Sequence, residues 1–172
     1  MKKLVPLFAI FILILSACSN ASDPEHEHHE EKSGENSSAE EMHNHLSGDL
    51  QEVTASAEEL PKFLDSKHED IRLVYQVAGK ATDILQWMPC YCGCGDSAGH
   101  RSNLNCFIAE TRDDGSIVWD DHGTRCQVCL EIAVESVQLY QDGKSLKEIR
   151  EAIDAKYSNG QYAAPTPTEM PA

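Results

Sequence analysis

Pro89 to Gly95 reads PCYCGCG and puts Cys90, Cys92 and Cys94 on alternate positions. Three core cysteines would not fall at i, i+2 and i+4 beside two glycines, and a disulfide across Cys-x-Cys closes a short, strained ring. Metal ligation suits the crowding, because alternating thiols present several sulfurs to one centre, and thiolates select Cu(I), Zn(II) or iron–sulfur clusters. A second group, Cys126 and Cys129 in RCQVC, opens an apolar-periodic stretch. At i and i+3 both sulfurs point to one side, and the free N–H groups of a helix start favour thiolates. Cys106 stands between the two groups, and His100 and His122 flank them as further candidate ligands.

Three chemistries fit this set. Six thiols exceed the four of a tetrahedral zinc site, so either two ions share bridging sulfurs or some cysteines serve elsewhere; Cu(I) accepts two or three sulfurs and forms bridged clusters readily. The even number also permits disulfides outside the cytoplasm. The packed Cys90/Cys92/Cys94 run is a poor staple, because bridges gain most by closing long loops. Alternatively Cys126 and Cys129 form a working dithiol that exchanges with partner proteins. Asp120 and Asp121 are read as loop acids, since nothing places them beside a nucleophile.

The elements that must position these residues are mostly helical. Ile71, Val74, Tyr75, Ala78, Ala81, Leu85 and Met88 make a helical stripe over Asp70–Met88. Gly79 is a candidate bend, and Pro89 ends the stripe. A short helix over Ala57–Phe63 is expected before it. Asn105–Thr111 and Ser116–Asp120 flank Asp114-Gly115 as a hairpin. Arg125–Tyr140 is the clearest helix, with Cys126, Cys129, Ala133, Val137 and Tyr140 on one face. Ser145 and Glu148 form a capping box for a last helix through Leu146, Ile149, Ile153 and Tyr157. The expected fold is therefore mainly α: a small cysteine-rich helical domain over 56–158, with at most one short hairpin.

The flanks differ in composition. MKKLVPLFAIFILILSAC carries two lysines, an apolar run of about 13 residues, short for the roughly 20 of a membrane span, and small residues before Cys18. This predicts a secretory signal over 1–17 and a lipid-modified Cys18. Residues 18–55, rich in Ser, Glu and Asn and carrying His26, His28, His29, His43 and His45, read as a disordered spacer able to capture divalent ions weakly. Residues 159–172 read as a disordered proline-rich tail. The net charge of −15, falling to −17 without Lys2 and Lys3, gives no basic face for nucleic acid.

MPCYCGCG followed by GH, NCFI, VWDDHGTRCQVC and GKSLKEIREAIDAKY resembles the bacterial PCYCGC-motif lipoproteins, an exported family mostly described as of unknown function. The likeness covers about residues 57–157. It implies an extracytoplasmic, membrane-anchored, cysteine-rich domain and supplies no catalytic residues. The closing helix is also similar to the end of small helical thiol proteins of cytochrome c maturation, which adds to the redox alternative. The expectation drawn is a lipoprotein binding Cu(I) or Zn(II) through Cys90, Cys92, Cys94, Cys106, Cys126 and Cys129, with His100 and His122. Its partners would be the membrane, metal ions and a metalloprotein or redox protein. The alternatives are a thiol–disulfide oxidoreductase using Cys126 and Cys129, and a disulfide-stapled protein-binding module.

Overall fold

Asp114-Gly115 turns the chain as its sequence suggests: Gly115 takes φ +88°, and β2 (Ile108–Thr111) and β3 (Ile117–Asp120) pair antiparallel on either side. The computed structural model describes residues 48–172. The hairpin is part of a larger sheet. β1 (Gln51–Thr54) pairs antiparallel with β3, Gln51 opposite Asp120 and Thr54 opposite Ile117, giving the order β1-β3-β2. This corrects two expectations. The sheet exceeds a hairpin, and the folded region reaches back into residues assigned to the spacer. A four-residue strand following a polar run offers little periodic signal; β1 is held by pairing with a strand over sixty residues away. The central β3 is buried along its length, and the Trp119 indole N–H donates to Thr54 Oγ1 at 2.8 Å.

The helices pack beside this sheet. α1 (Glu69–Lys80) buries Val74, Tyr75 and Ala78, and α2 (Thr82–Leu85) follows after a break at Ala81. α1 runs through Gly79 to Lys80 without interruption. A Cβ there would lie 2.8 Å from the Trp119 ring, so the glycine admits close helix-to-sheet contact. The helix expected over Ala57–Phe63 is reduced to a 3-10 turn at Lys62–Leu64, opened by Pro61. A short α3 (Gly95–Ala98) follows the cysteine run, then a 3-10 turn at Asn103–Cys106.

α4 (Gln127–Gln141) and α5 (Leu146–Tyr157) complete the domain, with the capping box at Ser145 and Glu148 formed. α4 buries two faces. Cys129 and Ala133 enter the main core with Tyr75, Phe107 and Trp119. Ile132 enters a second cluster with Met88, Tyr91, Ile149, Ile153 and Tyr157. Tyr140, expected on the buried stripe, lies past the packed region and is exposed.

The proline-rich end is not a free tail. Ala163 N–H donates to the Tyr91 carbonyl at 3.2 Å and Thr166 N–H to that of Cys90 at 3.0 Å. Arg150 Nη1 donates to the Thr168 and Glu169 carbonyls. An irregular segment can dock through backbone hydrogen bonds without any apolar period, so composition gave no warning. Among the described residues no helix is long and apolar enough to cross a membrane. The signal, Cys18 and the spacer histidines at 26–45 lie outside the described residues.

Candidate metal centre

Neighbouring residues of PCYCGC enter different clusters of the core. Cys90 enters the main core, with Cys92 packed against it. Tyr91 enters the second cluster, stacks on Tyr157 and donates its hydroxyl to Asp154 Oδ1 at 2.7 Å. Gly93, at φ +82°, then turns the chain so that Cys94 returns beside Cys92, with Cys94 N–H donating to Cys92 Sγ at 3.4 Å. The motif is thus wedged between two clusters.

The other cysteines arrive from separate elements. Cys106 ends the 3-10 turn and is fully buried. Cys126 caps the start of α4, and Cys129 sits one turn in, also fully buried. Cys90 Sγ lies 2.9 Å from Cys92, 3.5 Å from Cys129 and 3.6 Å from Cys106. No disulfide joins the six described cysteines in this structure. The sulfurs of Cys90, Cys92 and Cys129 lie within 4.8 Å of one another, and so do the donor atoms of Cys92, Cys94 and His122. Cys92 belongs to both sets.

Electrostatics single out the same residue. Thiols of Cys106, Cys126, Cys129 and Cys90 surround Cys92 and hold it far below the usual thiol range. Cys90 is also lowered, by Cys106 and then Cys129. Contact with Cys106, Cys126 and Cys90 pushes Cys129 up. Burial, then the Cys92 sulfur, pushes Cys94 up to about 12. For Cys106 the Cys129 contact pulls down but is outweighed by Cys90, Cys92 and burial. Cys126 is likewise raised, its Cys129 contact outweighed by Cys92 and burial.

Both expected histidines border this group. His100 Nδ1 lies 3.6 Å from Cys106 Sγ, and His122 Nε2 lies 3.9 Å from Cys92 Sγ. The two rings meet edge to face, centroids 4.7 Å apart. Burial, then the neighbouring His122, lowers the His100 pKa; Cys92 and Asp49 raise that of His122 against burial. The structure therefore brings all eight candidate residues into one region.

Sequence reasoning missed the carboxylates behind the rings. Asp49, assigned to the spacer, is buried and holds His122 Nδ1 at 3.2 Å. Asp120 and Asp121, read as loop acids, are buried too. Asp120 accepts from His122 N–H at 2.9 Å and from Gln51 Nε2 at 2.8 Å, while burial raises its pKa. Arg125 pairs with Asp49 and with Asp121. The run DDH at 120–122 was the available signal, since a short turn after a strand puts all three at one sheet end.

Residues 7–171 match the family described as a protein of unknown function with PCYCGC motif, and the chain belongs to that family. No curated protein and no solved structure matches it.

Proposed function

We propose that this chain is a membrane-anchored, extracytoplasmic lipoprotein whose clustered cysteines hold a soft metal ion, Cu(I) or Zn(II). The observation that carries the reading is the convergence of Cys90, Cys92 and Cys129 within 4.8 Å, with Cys92 also within reach of Cys94 and His122. The Cys90–Cys129 and Cys90–Cys106 separations of 3.5 and 3.6 Å approach the edge of about 3.8 Å that follows from a Zn–S bond of ~2.3 Å in a tetrahedron. A sulfur shared by two donor sets favours Cu(I), whose thiolate clusters bridge. Cys18 behind Leu15-Ser16-Ala17 supports the lipid anchor.

Elemental analysis with thiol counting, on protein purified without chelator, tests the metal. Reduced thiols that become unreactive on loading with Cu(I) or Zn(II) are expected; complete oxidation with no response to metal would end this reading. For the anchor, Cys18→Ala is expected to release the protein from the membrane fraction or leave an uncleaved precursor.

Dithiol exchange at Cys126 and Cys129 is the second reading, favoured by their position at the α4 start. Against it, Cys129 is fully buried and both thiols are pushed up, which reduces the thiolate available for attack. Cycling of this pair against a thiol buffer, unchanged in Cys92→Ser, would support exchange over metal binding.

A further inference from the structure

The end of the sheet gathers three buried carboxylates. Asp49, Asp120 and Asp121 are 5%, 2% and 9% exposed, and one oxygen from each lies within 4.8 Å of the others. Arg125 is the guanidinium paired with them, and it answers two of the three. Buried charge is costly unless paired or coordinated to a metal. The two imidazoles complete the surroundings: His100 is 6% exposed and the His122 side chain 12%.

From this arrangement we infer that Asp49, His100 and His122 form a second metal site, distinct from the sulfur cluster, which takes a divalent borderline ion such as Zn(II) through oxygen and nitrogen. The donor atoms of the three residues lie within 4.8 Å of one another. Asp49 Oδ2 and His122 Nδ1 are 3.2 Å apart, close to the edge of about 3.3 Å implied by bonds of ~2.0–2.1 Å in a tetrahedron. Arg125 engages the other oxygen, Oδ1, and so orients the carboxylate. Of the two His122 nitrogens, Nδ1 is the one turned to Asp49, while Nε2 faces Cys92 Sγ at 3.9 Å. The ion replaces the proton otherwise shared between Nδ1 and Asp49. Asp120, which accepts from the His122 backbone, holds the ring's segment in place. One imidazole thereby abuts a soft site on one side and a harder site on the other.

Co(II) separates the two sites, because thiolate ligation gives intense sulfur-to-cobalt charge transfer and oxygen–nitrogen ligation does not. The full-length chain in detergent would carry Asn at positions 26, 28, 29, 43 and 45, removing the spacer imidazoles. Titration is expected to show an equivalent bound without charge transfer, in addition to any bound with it. Asp49→Asn and His100→Gln are each expected to weaken that equivalent about tenfold or more, leaving the charge-transfer bands in place. If Asp49→Asn fails to fold, His100→Gln decides. Absence of an equivalent free of charge transfer, or its persistence at full affinity in His100→Gln, would overturn the second site. Loss of charge transfer alone would count against the sulfur cluster and leave this site standing.

Discussion

Thr166 closes both backbone groups of Cys90. Its N–H donates to the Cys90 carbonyl at 3.0 Å, and its hydroxyl accepts from the Cys90 N–H at 2.9 Å. The segment that composition marks as a tail is thus the edge partner of the cysteine motif. Thr166→Val keeps the shape and removes the acceptor, leaving a buried donor unpaired at a cost of about 1–3 kcal/mol. Urea unfolding should show that loss, with faster amide exchange at Cys90; an unchanged midpoint would mean that the tail is not what holds the motif.

Arg125 is half exposed, yet it serves two buried carboxylates, Asp49 and Asp121. Arg125→Met removes the guanidinium from both and leaves Asp49 with His122 alone among the described residues. Solvent at the guanidinium moderates the effect, so a destabilisation of about 1–2 kcal/mol is expected, below the range for a fully buried pair. Arg125→Lys should restore only part of it, because an ammonium cannot fork across two carboxylates. Equal stability of Arg125→Met and the wild type would show that these acids need no compensation.

The helices were legible and the site only half so. Ser145 with Glu148, Pro89, and the stripe through Val74 and Tyr75 carry their structure in local spacing, which survives without tertiary context. Cys90, Cys92, Cys94, Cys106, Cys126 and Cys129 were legible because cysteine is rare and its spacing unusual. Asp49 was not. Its role comes from β1 pairing with β3, a contact across about seventy residues that no local pattern encodes. Thr166 escaped for the same reason, since it acts through backbone hydrogen bonds to a distant segment. Tyr140 was overcounted because a helical period marks a face without saying where the packing partner ends.

Tyr75 couples the core to alkaline stability. Its hydroxyl is buried and donates to the Asp120 carbonyl at 2.7 Å; burial, then the Asp120 and Asp121 charges, pushes its pKa well above the ordinary value. A phenol whose pKa is raised by folding lets the unfolded chain release its proton first. Its contribution is therefore complete below the unfolded value of about 10 and is lost as pH rises beyond it. Stability should fall above pH ~10. In Tyr75→Phe the fall should be shallower, although the variant starts about 1 kcal/mol lower for the lost hydrogen bond. Parallel curves for the two proteins above pH ~10 would assign the alkaline loss to other groups.

Cys92 and Cys94 are two residues apart in one motif, yet the structure gives them unequal parts. Cys92 sits in both donor sets and is held far below the usual thiol range, whereas Cys94 belongs to one and is pushed up to about 12. Metal that binds only the folded chain adds RT ln(1 + [L]/Kd), about 2.7 kcal/mol at a hundredfold excess over Kd. Cys92→Ser should lose most of that increment in melts with Cu(I) or Zn(II). Cys94→Ser should lose about 1.4 kcal/mol or less, a tenfold change in Kd. Cys126 leans on Cys92, so Cys126→Ser combined with Cys92→Ser should cost less than the sum of the single changes. Without metal, Cys92→Ser should leave the melt nearly in place, since its side chain is only half buried. Equal losses from Cys92→Ser and Cys94→Ser, with strict additivity to Cys126→Ser, would place the three sulfurs in unlinked sites and refute a centre organised around Cys92.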